Sequence, residues 1–215
     1  MTLTCRGLLF DLDGTLIDSL PAVDRAWTLW CERVGLVASE VVPHIHGRRS
    51  IDSVRRFAPH LDEEIENAAI RAMEAGDTEG VIALPGSLDF IASLPMGTWT
   101  VVTSGTSDVA QARLRHVGIA IPERAVYGED VTEGKPHPMP FQFGADVLGI
   151  PAGECVAFED TLAGVRSAKA AGCRVVGISL TPIEEADVTV ANLASVRAEA
   201  LGDEIRLTIT PLPSE

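Results

Sequence analysis

Two aspartates and a threonine follow a short apolar stretch near the start of the chain, in the order Asp11, Asp13 and Thr15. The apolar residues 7–10 are too hydrophobic for a surface loop and too few for a helix, which predicts a buried strand. Carboxylates at the end of a buried strand are costly to remove from water unless a cation meets them. The same pattern can also form a polar turn closed by Asx hydrogen bonds. The chemistry of this stretch therefore depends on the side chains that the rest of the chain brings beside it.

Chemically active groups follow three other predicted strands, over residues 98–103, 125–127 and 155–158. They comprise two hydroxyls with a glycine turn, one lysine and two further acids: Thr103, Ser104, Gly105, Lys135, Glu159 and Asp160. Because ligands of an open parallel sheet bind beyond the carboxyl ends of its strands, we expect these groups to meet the two aspartates at one edge. A solvated loop would explain one such strand end, but four of them together indicate a functional site.

The elements that must position these groups belong to two kinds. Strands and helices alternate from residue 81 onward, which predicts a parallel sheet covered by helices on both faces. Over residues 17–80 apolar residues recur at helical spacing, and no strand pattern interrupts them. We therefore predict an α/β protein with a parallel-sheet core (residues 1–16 and 81–215) and an inserted all-α domain (residues 17–80). The tail over 204–210 alternates apolar and polar residues, which predicts an edge strand with one wet face.

The composition is that of an acidic chain with a substantial core. Hydrophobic residues make up 46% of the 215, and 31 acids outnumber 17 lysines and arginines, for a formal charge of −14. This balance argues against a nucleic-acid partner or an anionic membrane surface, because phosphate contacts need clustered cations. No apolar stretch approaches the ~18 residues that a membrane span needs, and the N-terminus lacks a basic region followed by a long apolar run. We expect a cytoplasmic protein whose four cysteines are buried free thiols.

Four segments, in this order, resemble the motifs of the haloacid-dehalogenase-like hydrolase superfamily. They are Asp-Leu-Asp-Gly-Thr at 11–15, Thr-Ser-Gly-Thr at 103–106, Gly-Lys-Pro-His-Pro at 134–138 and Phe-Glu-Asp at 158–160. The resemblance extends to about residue 196 and is closest to the sugar and polyol phosphatases, including glycerol-phosphate phosphatases and the beta-phosphoglucomutase-like branch. It implies an enzyme that acts on a small phosphorylated metabolite with Mg²⁺ as cofactor.

The resemblance implies separate catalytic roles for the two aspartates and the lysine. Asp11 would attack phosphorus to form an aspartyl phosphate, which divides one difficult transfer into two easier ones. Asp13 would protonate the leaving alkoxide and then take a proton from the hydrolytic water. Lys135 would supply positive charge to the phosphate and to Asp11.

A metal site is implied at the same strand ends. Asp11, Asp160 and the backbone carbonyl of Asp13 would hold Mg²⁺, which prefers oxygen ligands. Three roles are open for Glu159, namely direct ligation of the metal, ligation through water, or orientation of Lys135.

Phosphate-binding groups are implied after the second strand. Thr103 would offer its hydroxyl to the phosphate, and the backbone N–H groups of the turn at Ser104 and Gly105 would bind phosphate oxygens. Thr15, in the first motif, is expected to position the side chain of Asp13.

The resemblance implies that the core is Rossmann-like and that the helical block (residues 17–80) is a cap domain, which would close over the sheet edge about hinges near 17–20 and 81–86. Closure excludes water and brings in residues that determine specificity. His46, Arg48 and Arg49, around Gly47, are the candidates for contacting a polyhydroxy substrate or its phosphate. The two arginines fit equally well as solvated charges at the start of a helix.

The favoured function is a Mg²⁺-dependent phosphatase of a small sugar or polyol phosphate, similar to glycerol phosphate or a hexose phosphate. A sugar phosphomutase is the alternative, but Val23 and Ser50 stand where the beta-phosphoglucomutase branch has a cap histidine and a cap-loop arginine. A dehalogenase is disfavoured, because halide release has no use for the proton of Asp13. A non-catalytic phosphate-binding regulatory protein would be expected to lack one or more of Asp11, Asp13, Lys135 and Asp160, and all four are present. Nothing in the sequence specifies the exact substrate or an oligomeric state.

Overall fold

The computed structural model describes residues 1–213, with ten strands and eight α-helices in this range. The strands are β1 (Thr2–Cys5), β2 (Gly7–Phe10), β3 (Ile17–Asp18), β4 (Ile82–Ala83), β5 (Trp99–Val101), β6 (Cys155–Glu159), β7 (Arg174–Ile178), β8 (Val188–Val190), β9 (Val196–Leu201) and β10 (Glu204–Ile209). The helices are α1 (Leu20–Val34), α2 (Ala38–Val41), α3 (Ser50–Phe57), α4 (Glu63–Gly76), α5 (Ser87–Ser93), α6 (Ser107–Val117), α7 (Met139–Leu148) and α8 (Leu162–Ala171).

The central sheet has five parallel strands in the order β5-β2-β6-β7-β8. All four residues of β2 are buried, because helices cover both faces of the sheet. Leu8 and Phe10 join the apolar cluster on one face, and Leu9 joins the cluster on the other. Phe10 also stacks on Phe158 of β6, with ring centroids 4.7 Å apart. These observations confirm the predicted α/β class and parallel sheet.

The predicted strand over 125–127 is reduced to a single bridge between Val126 and Val102. The N–H of Val126 donates to Val101 O at 2.8 Å, so the segment follows the edge of the sheet for only one residue pair. The chain then turns into a short 3₁₀ helix, Gly128–Asp130, and Gly128 N donates to Gly105 O. Three apolar residues are too few to continue the ladder once this turn begins.

The C-terminal segment forms a separate antiparallel sheet in the order β1-β10-β9. Its alternation predicted one wet face correctly, since Ile205, Leu207 and Ile209 are buried and the residues between them are exposed. The edge position predicted for it was wrong, because β10 pairs with β1 on one side and β9 on the other. Pairing with a strand some 200 residues away leaves no mark in the local pattern, and β1 and β9 were not predicted.

Helices α1 to α4 occupy the segment between β3 and β4. They enclose an apolar cluster of their own, which contains Val23, Trp27, Trp30, Cys31, Val41, Ile45, Val54, Ala58 and Ile70. β3 pairs antiparallel with β4, so the two connections to the central sheet lie side by side as a two-stranded ribbon. We refer to α1 to α4 and their connecting loops as the helical segment.

Two predictions from composition can be compared with the folded chain. All four cysteines are buried free thiols, as expected, and burial raises the pKa of Cys173 to about 12. Within residues 1–213, no helix combines the length and the apolar character needed to cross a membrane.

Candidate active site

Lys135 forms the centre of a buried ionic cluster at the carboxyl end of β2. Its Nζ lies 2.5 Å from Asp11 Oδ1, 2.6 Å from Glu159 Oε1 and 3.1 Å from the carbonyl oxygen of Val102. These contacts use all three ammonium protons, and Lys135 is only 3% exposed. Burial lowers the pKa of Lys135, but Asp11 and Glu159 more than offset that effect and raise it above its ordinary value. The lysine is therefore charged and held in one position.

Three carboxylates gather around this lysine. Asp11, Glu159 and Asp160 each offer one oxygen, and these oxygens all lie within 4.8 Å of one another. Burial raises the pKa of Asp11 to about 8 against the opposing effect of Lys135. Burial also raises the pKa of Asp160, and the neighbouring charges of Glu159 and Asp11 add to the rise. A buried set of acidic oxygens with one cation among them fits the ligand preference of a hard divalent metal.

Glu159 contacts both the lysine and the loop that follows β6. One carboxylate oxygen accepts from Lys135, and the other accepts from the backbone N–H and the hydroxyl of Thr161, at 2.9 and 3.0 Å. A Cβ on Gly164, at the start of α8, would lie 1.7 Å from Glu159 Oε1, so only glycine leaves room for this carboxylate. Of the three roles left open, this geometry favours orientation of Lys135.

The turn after Asp13 brings the Asp160 carboxylate close to the backbone. Gly14 has φ +88°, and a Cβ there would lie 2.1 Å from Asp160 Oδ2. Glycine is thus required both by the backbone angle and by the close approach. Thr15 was expected to position Asp13, but its hydroxyl points to Asp160 Oδ1 at 3.5 Å. The N–H groups of residues 15–17 all bond to Leu12 O, and this tight turn carries the threonine away from Asp13.

Two side chains that the sequence did not indicate hold Asp13. Ser19 Oγ donates to Asp13 Oδ1 at 2.5 Å, and Arg113 Nη1 donates to the same oxygen at 2.8 Å. Ser19 precedes the first residue of α1, but its side chain makes no capping bond to the helix. Arg113 is 2% exposed and lies on α6 beside Val109, Ala110 and Leu114, all buried. A lone arginine on the apolar face of a helix was the signal that could have identified it.

The hydroxyl loop after β5 is engaged differently from expectation. Thr103, Ser104 and Gly105 all line one cleft with Asp11, Asp13 and Asp160. The N–H of Gly105, expected to bind phosphate, donates to Thr103 Oγ1 at 3.0 Å and closes the turn. The hydroxyl of Ser104 donates to the carbonyl oxygen of Gly47 at 3.0 Å. This loop therefore also joins the central sheet to the helical segment.

The three predicted specificity residues separate into two groups. His46 and Arg48 line the cleft, and His46 Nε2 lies 3.1 Å from Asp24 Oδ1. Arg49 is buried and bonds bidentately to Asp52 at 2.7 and 2.8 Å. Its guanidinium also donates to the carbonyl oxygens of Val131 and Thr132, at 2.6 and 3.0 Å. Arg49 thus fastens the helical segment to a core loop.

The cleft lies between the central sheet and the helical segment and has a volume of about 60 Å³. Val23 and Ser50, which stand where a mutase would have histidine and arginine, both line it. Glu74 of α4 also lines it, and its Oε1 lies 3.8 Å from Arg113 Nη2. Burial raises the pKa of Glu74 to about 7, against the opposing effect of Arg113. A larger cavity of about 470 Å³ beside Trp99 is mainly apolar and does not include the acidic cluster.

Comparison with known proteins supplies relatives over nearly the whole chain. A family model described as haloacid dehalogenase-like hydrolase matches residues 5–172. Hexitol phosphatase A of Escherichia coli (strain K12) is 43% identical over 201 residues, covering 89% of this chain and 93% of that protein. Glycerol-1-phosphate phosphohydrolase 2 of Saccharomyces cerevisiae is 35% identical over 215 residues, covering 92% and 86%.

Among solved structures, beta-phosphoglucomutase from Clostridium difficile resembles this chain with a TM-score of 0.74 and 20% identity. The likeness covers 88% of this chain and 92% of that one, and at this identity it concerns the fold alone.

Proposed function

The chain belongs to the haloacid dehalogenase-like hydrolase family, and on that premise we propose that it is a Mg²⁺-dependent phosphatase of small sugar or polyol phosphates. The observation that carries the proposal is the Asp11 carboxylate held 2.5 Å from Lys135 at the end of β2, within a buried acidic cluster. The two named relatives, a hexitol phosphatase and a glycerol-1-phosphate phosphohydrolase, support a polyol phosphate as substrate.

In the first step, an oxygen of Asp11 attacks phosphorus, and the bond between phosphorus and the ester oxygen breaks. The leaving alkoxide takes a proton from Asp13, and the product alcohol departs. Lys135 keeps the attacking carboxylate in place and offsets negative charge as the phosphate dianion approaches. In the second step, water attacks the aspartyl phosphate, gives its proton to Asp13, and inorganic phosphate leaves while Asp11 is regenerated.

The contacts of Asp13 suit this proton transfer. Within residues 1–213, both of the hydrogen bonds described for its side chain end on Oδ1, from Ser19 and Arg113. Oδ2 is left to carry the proton to the leaving oxygen. Two donors on the other oxygen fix the orientation of the carboxyl group, which general acid catalysis requires.

The donor set is suited to Mg²⁺. Asp11, Asp160 and the backbone carbonyl of Asp13 would hold the ion, with the Glu159 carboxylate close by. Bound Mg²⁺ would neutralise charge on the transferred phosphoryl group. Its positive charge would also favour the ionised form of Asp11, whose pKa burial raises.

The helical segment acts in this proposal as a cap that closes over the cleft. Its two connections run together as the β3–β4 ribbon, where a small rotation would open or close the cleft. Residues 17–80 then form the cap domain, and residues 1–16 and 81–215 form the catalytic core.

The test is a phosphate-release assay over a panel of phosphorylated sugars and polyols, with and without Mg²⁺. We expect Mg²⁺-dependent release that Asp11→Asn abolishes and that Asp89→Asn, at an exposed acid on α5, leaves unchanged. Thermal unfolding with added Mg²⁺ measures metal binding independently, because a ligand of the folded state raises the Tm. If Mg²⁺ binds normally and no compound is turned over, the proposal fails. An isomerised sugar phosphate with no phosphate release would instead identify a mutase.

A further inference from the structure

Arg113 carries polar groups that have no partner within residues 1–213. Its guanidinium is buried, and Nη1 donates a hydrogen bond to Asp13 Oδ1 at 2.8 Å. Nε and Nη2 have no hydrogen-bond partner among the described residues. Buried donors are almost always paired, so two open positions on one buried guanidinium call for an explanation.

Arg113, which carries these open donors, lines the cleft, and the Glu74 carboxylate, an acceptor, lines it as well. Glu74 Oε1 lies 3.8 Å from Arg113 Nη2, which is close enough for attraction between charges but too long for a hydrogen bond. Arg113 belongs to α6 of the core, whereas Glu74 belongs to α4 of the helical segment. The two helices are also joined by an ion pair between Arg71 and Asp108 at 2.7 Å.

On the basis of the proposed phosphatase function, we propose that Arg113 and Glu74 bind a hydroxyl group of the substrate's alcohol portion. A hydroxyl oxygen accepts from the open guanidinium donors, and its proton is donated to the Glu74 carboxylate. A phosphate would be repelled by Glu74, and an alkyl group would leave both partners unsatisfied.

The position of Arg113 and Glu74 indicates how far the bound hydroxyl lies from the scissile bond. Arg113 contacts Asp13, the group that protonates the leaving oxygen, so the hydroxyl is bound near that oxygen. The preferred substrates are therefore phosphomonoesters with a hydroxyl close to the ester carbon, as in the monophosphate of a vicinal diol. Because the two side chains come from core and cap, such a hydroxyl also favours the closed cleft.

The experiment compares glycerol 1-phosphate with n-propyl phosphate, which has the same carbon chain and no hydroxyl. The readout is the ratio of kcat/KM for the two substrates in the full chain, since a loss of cap–core packing lowers both values together. We expect this ratio to fall at least tenfold in Glu74→Gln, mainly through KM for glycerol 1-phosphate. Glu64→Gln, at an exposed glutamate of the same helix, is the matched control and keeps the wild-type ratio.

A second variant tests the other partner. Arg113→Lys keeps a positive charge for Asp13 but removes the open donors, so we expect the same fall in the ratio. If folded Glu74→Gln and Arg113→Lys both keep the wild-type ratio within twofold, the inference is overturned and the phosphatase proposal stands. A wild-type chain that releases phosphate from no phosphomonoester overturns both.

Discussion

Lys135 and Arg113 are both buried cations flanked by carboxylates, and they differ in how their hydrogen bonds are completed. The ammonium of Lys135 uses all its donors within the core, on Asp11, Glu159 and the carbonyl of Val102. The guanidinium of Arg113 donates to Asp13 and faces Glu74 of the helical segment. Its Nε and Nη2 have no hydrogen-bond partner in the part of the chain that the structure describes.

Folding alone therefore satisfies the hydrogen-bond donors of Lys135, whereas a bound ligand is needed to satisfy those of Arg113. A cation whose every donor is occupied cannot reorganise, and such fixed charge is what stabilises a developing transition state. A buried cation with free donors gains hydrogen bonds only when another molecule enters. The first cluster, formed by Lys135, Asp11 and Glu159, thus suits chemistry on the phosphoryl group, which all substrates share. The second cluster, formed by Arg113, Asp13 and Glu74, suits binding of the alcohol portion, which differs between substrates.

The most severe way to break the first cluster is Lys135→Met. We expect loss of at least about 10³-fold in phosphate release, since both the charge and the orientation of Asp11 are lost. Stability should fall by about 3–5 kcal/mol, because two carboxylates stay buried without their cation. Urea unfolding and phosphate-release assays measure the two effects.

Lys169→Met is the matched control for this change, because Lys169 forms an exposed pair with Asp187 at 2.7 Å. Such surface pairs contribute about 0–1 kcal/mol. Equal destabilisation by the two lysine variants would contradict the prediction that the buried ion pairs of Lys135 contribute more to stability than an exposed pair.

A smaller loss of activity is expected from a change at Asp13, which contacts Arg113 and protonates the group that leaves the phosphoryl group on Asp11. Asp13→Asn should lower kcat/KM for glycerol 1-phosphate, which reports the step that releases the alcohol, by about 10²–10⁴-fold, the usual contribution of a positioned general acid. The loss should be smaller for p-nitrophenyl phosphate, whose leaving group needs no proton. Steady-state kinetics on both substrates provide the check, and an equal loss on both would argue against proton donation by Asp13.

The smallest expected effect is a pH dependence of folding stability that arises from Glu74, the carboxylate facing Arg113. The pKa of Glu74 is raised to about 7 in the folded chain from an ordinary 4.5, so the folded state binds its proton more tightly. The resulting stability is present below about pH 4.5 and is lost as pH rises through about 7, amounting to at most about 3 kcal/mol. Glu74→Gln removes this dependence.

The Tm of Glu74→Gln should therefore rise relative to wild type by a few degrees between pH 5 and pH 8. Thermal unfolding of both chains across this range measures the difference, in which the other titrating groups largely cancel. A difference that stays constant with pH would show that burial of Glu74 has no influence on its protonation.

Local pattern was sufficient for the strands that place Asp11 and Asp160, whereas the strand predicted before Lys135 is a single bridge. The apolar run of residues 7–10, the alternation of strands and helices, and the acids, hydroxyls and lysine at the strand ends are all readable along the chain. Parallel strands direct their carboxyl ends to one edge, so the sequence predicts that Asp11, Lys135 and Asp160 lie together. Contact between Glu159 and Lys135 was one of three alternatives that the sequence left open, and the contact between Glu159 and Thr161 was not predicted.

Only the tertiary structure determined the second cluster and the C-terminal sheet. Helical spacing places Arg113 on a buried face, but its contact with Asp13 depends on how α6 packs against a turn 100 residues earlier. The attachment of Arg49 to core carbonyls and the central position of β10 likewise depend on distant partners. Periodicity in a sequence reports which face of an element is buried. The group that meets that face is determined by packing between elements far apart in the chain, and that packing decided which side chains complete this site.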